Sequence, residues 1–269
     1  MAFKVKGKKN GIEKTYYSNG TQENGYVAEL KSRTYYENGV KNGLEEEYAT
    51  WPANAIVTHR CFYKNGVKDG KEEYYDRDDI YGVTGTFRYK AGKLDGQSYV
   101  YNISNKFKQQ NKELEKAKSG YNYYRNGELV QQAVSYSERS WKDSKSYYQD
   151  GKLVAMAART NDKPDEYTYT YPGSKEQINP NDELMQYVAE IDAFAEKSDE
   201  EAKGLTIKQE REMIAGIRAA EEEKSKQMAL EKIQAYRKSM AKALGLGKVK
   251  APGLVTRVEM AISQKTCSK

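Results

Sequence analysis

Hydrophobic and polar positions in the first part of the chain recur together with glycines at fixed places. The pattern x-Gly-x-x-(Asn/Asp)-Gly-x-x-x-x-Tyr occurs four times, and its copies end at Tyr16, Tyr48, Tyr75 and Tyr101. Asn-Gly and Asp-Gly pairs favour the positive φ angles of a tight turn. The aromatic runs on either side are typical of half-buried strands. Each copy is therefore predicted to be a β-hairpin whose short hydrophilic loop is bracketed by two such pairs.

A second signature, Tyr-Tyr-x-(Asn/Asp)-Gly, begins at Tyr16, Tyr35, Tyr123 and Tyr147. Neighbouring residues of a strand point to opposite faces, so each tyrosine pair places one ring on each face of the sheet. A single hairpin is marginal in water, and consecutive hairpins are expected to pair edge to edge as a repeat protein. The predicted fold is α+β: an N-terminal antiparallel β-meander of hairpin repeats in one twisted layer, followed by a C-terminal helical region with one long helix.

Two insertions interrupt the repeats. Residues 49–55 lengthen one connection, because Pro52 is incompatible with a central strand. Residues 102–119 are charged and predict a short exposed helix or lid. Residues 166–171 alternate strictly between polar residues and tyrosine, which predicts a last strand that closes or caps the sheet.

Residue usage changes near residues 172–180, since 22 of the 24 tyrosines lie at or before Tyr171. We therefore predict two domains, a repeat domain over 1–172 and a helical domain with a basic tail over 173–269. Asn179 and Pro180 suggest a cap and first position for a helix over about 180–198. Its apolar stripe comprises Leu184, Tyr187, Val188, Ile191, Phe194 and Ala195.

A capping box at Thr206 and Gln209 predicts a second helix over about 206–244. Its apolar positions are sparse, and the charged run 221–226 breaks the stripe in the middle. So long a helix needs a partner, which can be the sheet, the preceding helix or another chain. A coiled coil that brings copies together as a homo-oligomer is one of these alternatives, and the order of the tail is left open.

The net charge of +6 is unevenly distributed. Residues 1–175 carry 29 basic and 23 acidic residues, 180–223 carry 5 and 13, and 224–269 carry 11 and 2. An acidic start and basic end complement a helix dipole, but a basic end also suits an anionic surface. The two cysteines offer no disulfide framework, and no signal peptide or membrane span is visible. A cytoplasmic location is therefore expected.

Candidate catalytic and metal sites are poorly supported. His59 and Cys61 have no further ligands nearby in the sequence, which favours a structural pair at a strand edge. The acidic clusters 45–47 and 76–79 resemble solvated strand faces and loops more than paired catalytic carboxylates. No catalytic residue, metal site or cofactor is predicted, and an enzyme built on the insertions is the least favoured hypothesis.

Two sets of residues are candidate binding sites. Tyrosines combine contact area with a polar tip and suit protein recognition, and the chosen set is Tyr36, Tyr63, Tyr75, Tyr89, Tyr101, Tyr124 and Tyr148. Lysines interleaved with tyrosines also suit single-stranded nucleic acid, but nearly as many glutamates accompany them, so nucleic acid is disfavoured. An anionic membrane surface or an acidic protein partner would be bound by Lys224, Lys226, Lys232, Arg237, Lys238 and Lys242.

The residues from Asn65 to Tyr75 and their copies resemble the MORN-variant repeat, in which a tyrosine-rich strand, an Asn-Gly turn, an Asp-Gly pair and another strand form each hairpin. The resemblance covers about residues 3–155 and extends to a bacterial antitoxin-like family with Tyr-Tyr-x-Asn-Gly arrays. Departures occur at Gln131, which replaces the second glycine, and at residues 76–79. The resemblance implies a protein-binding or membrane-associated scaffold without catalytic machinery.

The preferred hypothesis is a non-catalytic protein-binding repeat scaffold, with a toxin-neutralising or defence-countering role as one version that rests on family analogy. The alternative is a peripheral membrane adaptor that binds anionic lipid through its basic C-terminal helix and tail.

Overall fold

The structure, a computed structural model, describes residues 3–5, 7–17, 29–49, 56–75, 82–101, 120–134, 144–159, 166–204 and 207–243. These residues form an α+β fold with one open antiparallel sheet and two helices. Residues 50–55 of the predicted 49–55 insertion, the predicted insertion at 102–119, the acidic cluster at 76–79, Thr206 and the tail from 244 lie outside the described residues, whereas Ala49 ends a strand of the sheet.

The sheet has fourteen strands in sequential order, so the predicted meander is confirmed over the described residues. Only β8 lies off the main path, where it pairs with β7. The strands are β1 (Phe3–Val5), β2 (Lys8–Tyr16), β3 (Leu30–Glu37), β4 (Val40–Ala49), β5 (Ile56–Lys64), β6 (Val67–Tyr75), β7 (Val83–Lys90), β8 (Lys93–Leu94), β9 (Gly96–Val100), β10 (Gly120–Arg125), β11 (Glu128–Val134), β12 (Ser144–Gln149), β13 (Lys152–Arg159) and β14 (Tyr167–Thr170).

The hairpin turns contain two residues rather than a bracketed loop, which corrects the predicted loop. Asn38 and Gly39 connect β3 to β4 with φ angles of 51° and 91°, as a type I′ turn requires. The second pair of the motif, Asn42 and Gly43, lies inside β4. The second glycine keeps a positive φ of 139° there, so it bends the strand instead of reversing the chain.

The second pair has a separate structural task, because its Asn or Asp caps the turn of the next repeat. Asn10 accepts a hydrogen bond from the Asn38 N–H at 2.9 Å, and Asn42 accepts one from the Asn65 N–H at 3.0 Å. Asp69 accepts from the Ala91 N–H at 3.0 Å. The repeats are therefore linked turn to turn as well as strand to strand.

Two helices follow the sheet, α1 (Glu183–Ala202) and α2 (Ile207–Ala243). The predicted cap at Asn179 and Pro180 is wrong. Asn179 instead accepts a hydrogen bond from the Asn181 N–H at 2.9 Å, which holds a turn before the helix. Asp182 is the N-cap, and its carboxylate accepts from the Leu184 N–H at 2.9 Å.

The predicted apolar stripe of α1 packs on the last strands of the sheet. Val188, Ile191 and Ala195 are buried against a cluster that includes Tyr123 and Tyr147. The chain divides into two compact units, residues 1–225 and residues 226–269. Helix α1 and the first part of α2 therefore belong to the same unit as the sheet.

Candidate functional site: the two faces of the sheet

Direct cross-strand partners share one face of a sheet, and one unbroken row of partners defines what we call the helix face. The row runs through Lys14, Arg33, Glu46, Arg60, Glu73, Thr86, Tyr99, Tyr121, Ala133, Lys145, Ala157 and Tyr169. Its first members are charged and its later members are mostly aromatic or small. The two ends of the helix face therefore offer different chemistry to the helices.

Helix α1 covers the later, less charged end of the row. Besides its apolar stripe it contributes Asp192, whose carboxylate accepts hydrogen bonds from Tyr147 at 3.0 Å, Gln131 at 2.7 Å and Lys145 at 3.0 Å. Gln131 is the residue that departs from the repeat pattern. Here its side chain binds the helix.

Helix α2 docks on the charged end of the row through Arg218 and Glu221. Arg218 donates two hydrogen bonds to Glu46, at 2.6 and 2.8 Å. Glu221 accepts from Arg33 at 2.6 Å and from the Leu44 N–H at 2.8 Å. The charged run that interrupts the apolar stripe is thus itself the contact with the sheet.

Glu46 lies at the centre of this contact and is fully buried, at 0 % exposure. It also accepts hydrogen bonds from Arg60 at 3.2 Å and from the Tyr48 hydroxyl at 2.9 Å. Burial opposes ionisation, but the hydrogen bond and charge of Arg218 and the charge of Arg60 hold the pKa of Glu46 below its ordinary value. The prediction that residues 45–47 form a solvated face is wrong for Glu45 and Glu46, which are both buried. Around Glu46, partners on two strands and a helix replace water.

A glycine allows α2 to approach β4 closely. A Cβ built on Gly43 would lie 2.2 Å from Glu221 Oε1, and the φ of 139° also disfavours a side chain. The Gly43→Ala variant is expected to lose about 2 kcal/mol of stability from backbone strain and displacement of Glu221. Gly70→Ala is the matched control, since Gly70 occupies the same motif position at φ 111° but the nearest atom to its Cβ would be Phe62 Cβ at 3.3 Å. Equal losses in urea denaturation would contradict a role of Gly43 in helix docking.

The opposite side of the sheet, which we call the ladder face, carries a repeated Lys–Tyr–Glu unit. Lys9 lies 5.1 Å from the Tyr36 ring centroid, and both Lys41 over Tyr63 and Lys68 over Tyr89 lie at 4.7 Å. Each lysine also pairs with the glutamate four residues later, namely Glu13, Glu45 and Glu72. Lysine over an aromatic ring is a favourable cation–π contact. In the next repeat Leu94 takes the lysine position and packs with Tyr89 and Tyr124.

His59 and Cys61 lie on this face in β5, an interior strand, so the predicted edge location is wrong. His59 contacts Glu72 at 2.9 Å, and Glu72 also accepts from Lys68 at 2.7 Å and from Tyr74 at 3.1 Å. Burial raises the pKa of the Cys61 thiol to about 12. The thiol is therefore protonated at neutral pH, which disfavours nucleophilic chemistry at this position.

Glu72 is 1 % exposed, and its stability contribution depends on pH. Burial opposes ionisation, but hydrogen bonds and charge from His59 and Lys68 lower its pKa from 4.5 to about 2. Its contribution is therefore complete above pH 4.5 and is lost as the pH falls toward 2. We expect the difference in unfolding free energy between the wild type and Glu72→Gln to shrink over that window.

The control for this pH prediction is Glu13→Gln. Glu13 occupies the same position in its Lys–Tyr–Glu unit as Glu72, but its side chain is more exposed. Denaturant unfolding at several pH values between 5 and 2 gives the comparison. A difference between wild type and Glu72→Gln that stays constant over this range would contradict the pH prediction.

The structure distributes the predicted partner-binding tyrosines over different environments. Tyr36, Tyr63, Tyr89, Tyr124 and Tyr148 lie on the ladder face, where Tyr89 and Tyr124 are each only 5 % exposed. Tyr75 lies on the helix face, where it donates to Glu73 at 2.7 Å and accepts from Arg60 at 2.9 Å. Tyr101 follows β9 and is 70 % exposed.

The predicted cationic set is also divided. Lys224 belongs to the first unit and pairs with Glu37 of the sheet. The others lie in the second unit, where Lys226, Lys232, Lys238 and Lys242 are exposed and Arg237 is partly exposed.

Sequence reasoning missed Arg218, Glu221 and Asp192 as contact residues. The signal was present for the first two, since Ile214, Arg218, Glu221 and Ser225 follow the four-three-four spacing of one helix stripe. Two of these positions are charged, so a search for apolar residues passes over them.

Within the described ranges, no group of three or more His, Cys, Asp or Glu side chains is arranged to hold a metal ion. Neither described helix combines the length and apolar character needed to cross a membrane. Searches of protein-family models, curated proteins and solved structures find no match to this chain.

Proposed function

We propose that this chain is a non-catalytic protein-binding repeat scaffold that uses its ladder face for recognition. The observation that carries the proposal is that the two faces of the sheet differ: helices pack on one face, and the other presents a repeated side-chain unit. The described parts of α1 and of α2 up to residue 225 occupy the helix face, whereas three successive repeats present the same Lys–Tyr–Glu unit on the other side. Regular spacing of one chemical unit suits an extended partner that makes the same contact several times.

The contacts within these units support recognition of a protein. Each ring is held by a lysine of the neighbouring hairpin, and that lysine is held by its glutamate. Preordered aromatic side chains lose little entropy on binding, and tyrosine is enriched where binding energy is concentrated. Tyr36 and Tyr63 remain partly exposed, so their rings are accessible for contact.

Membership of the MORN-variant repeats stays a prediction, and the antitoxin-like resemblance makes a toxin one candidate class of partner. A partner that binds several repeats would contact the rings of both Tyr36 and Tyr63 and the lysines that lie over them. Loss of two neighbouring rings is therefore expected to weaken binding much more than loss of an aromatic side chain elsewhere on the sheet.

The test compares full-length wild type with Tyr36→Ala/Tyr63→Ala as affinity baits in native lysate, followed by binding measurements with each purified candidate. The expected result is a direct interaction weakened at least about tenfold by the double substitution. Tyr16→Ala is the control, since Tyr16 is 52 % exposed and lies outside the Lys–Tyr–Glu units. The proposal would be overturned if the partners bind the double variant as tightly as they bind wild type. It would also be overturned if the protein catalyses a reaction that the double substitution leaves unchanged.

A further inference from the structure

The second compact unit contains a largely exposed part of α2, residues 226–243. Five of its apolar side chains follow alternating spacings of four and three residues, namely Ala229, Ile233, Tyr236, Met240 and Ala243. Such spacing keeps them on one narrow stripe, which we call the seam. Eighteen residues at 1.5 Å per residue make a helix about 27 Å long. The large members of the seam are exposed, with Tyr236 at 66 %, Met240 at 42 % and Ile233 at 37 %.

Positive charge borders the seam on both sides. At 100° per residue, Lys232 lies along one border and Arg237 along the other. The segment carries five basic residues and one acidic residue, Glu231. Residues that border a helix seam select its partner through their charge.

This charge distribution distinguishes between possible occupants of the seam. A second copy of the segment would bring cations against cations in either orientation, which is repulsive. Residues 244–269 of the same chain carry five basic residues and one acidic residue, so they meet the same repulsion. An acidic helix would instead find cations on both borders.

A lipid surface is a poorer match than a protein helix. Helices that lie in a membrane interface use a broad apolar face with aromatic anchors. Here Lys226 and Arg237 separate the seam from the next apolar side chain, Leu230, and the segment contains neither Trp nor Phe. A narrow seam with flanking charges is typical of helix pairing.

We propose that residues 226–243 bind an acidic amphipathic helix of another protein, with its apolar side chains on the seam and its Asp or Glu side chains beside Lys232 and Arg237. The seam and the ladder face consist of different residues, so the inference is independent of the function proposed above.

The test uses the full-length protein and two synthetic helical peptides with leucine at four-three spacing. One peptide has glutamate at the flanking positions and the other has lysine. Fluorescence anisotropy is expected to show saturable binding of the glutamate peptide only. Ile233→Ser/Met240→Ser should weaken it at least about tenfold, whereas Gln234→Ser/Ala235→Ser, off the seam, should not.

A charge reversal makes the test specific. Lys232→Glu/Arg237→Glu is expected to lose the glutamate peptide and gain the lysine peptide, while Tyr36→Ala/Tyr63→Ala should bind like wild type. The inference is overturned if neither peptide binds, if both bind equally, or if the seam substitutions have no effect. Binding to phosphatidylserine vesicles in preference to the peptide, or self-association of the full chain through the seam in sedimentation velocity, would also overturn it.

Discussion

Replacing Glu46 with glutamine is expected to lower the free energy of unfolding by about 3 to 5 kcal/mol, the cost of breaking a buried ion pair from one side. The carboxylate is 0 % exposed and lies between Arg60 and Arg218. Glutamine keeps the size of the side chain but removes the negative charge, so two guanidinium groups remain close together without their counterion. The amide also presents donors where the site requires only acceptors.

The control for this change is Glu13→Gln, which removes the carboxylate of the more exposed Lys9–Glu13 pair on the ladder face. An exposed pair contributes about 0 to 1 kcal/mol. Guanidinium denaturation of both variants gives the comparison, and similar losses in the two would contradict a central role for Glu46.

A double-mutant cycle that combines Glu46→Gln with Arg218→Gln tests whether the stability lost in Glu46→Gln arises at the contact with α2. Because Arg218 donates two hydrogen bonds to Glu46, the combined variant should lose less stability than the sum of the single variants. Hydrogen exchange should report faster opening of residues 207–225 in both single variants. Additive losses would show that the two side chains act independently.

The hairpin repeats were predictable because their signals are local. An Asn-Gly pair favours the positive φ angles of a tight turn, and an alternating strand such as residues 166–171 contains its own pattern. The second Asn-Gly or Asp-Gly pair of the motif has the same local chemistry as the first, yet it lies inside a strand. Its task, capping the turn of the neighbouring repeat, becomes visible only when the strands are paired.

The buried charges could not be predicted in the same way. Glu46 and Glu73 occupy positions that resemble solvated strand residues, because a pattern analysis assigns charged residues to water. Their burial depends on Arg60 in the adjacent strand and, for Glu46, on Arg218 of a helix more than a hundred residues later. The same limitation applies to Glu221, which looks like a break in a stripe until its partner Arg33 is known.

These two modes of docking imply different responses to salt. Helix α1 combines an apolar stripe with Asp192, whereas among the described side chains of α2 up to residue 225 Ile214 is the one well-buried apolar residue, at 3 %, beside the charged contacts. Exposed ion pairs at the border of the α2 contact, Lys14–Glu222 and Lys224–Glu37, are screened by salt, whereas buried pairs are screened much less and apolar contacts are not. The attachment of α2 to the sheet is therefore more sensitive to ionic strength than that of α1.

Replacing Asp192 with asparagine is expected to cost about 2 to 4 kcal/mol, since hydrogen bonds to a charged acceptor are strong and their loss leaves several donors unpaired. Tyr147, Gln131 and Lys145 all donate to this carboxylate. An asparagine offers one oxygen, and its amide group would face donors.

Glu190→Gln is the matched control, because Glu190 lies on the same helix and pairs with Arg125 at 2.5 Å but is 62 % exposed. Urea denaturation followed by tyrosine fluorescence and by circular dichroism compares the two variants. A second measurement tests the electrostatic part: burial and the charge of Asp192 raise the pKa of Tyr169 to about 12. Removal of the charge should lower that pKa in an alkaline titration, and because burial is the larger cause, the pKa should remain above the value of a free tyrosine. If Asp192→Asn is no more destabilising than Glu190→Gln, the attachment of α1 rests on its apolar stripe alone.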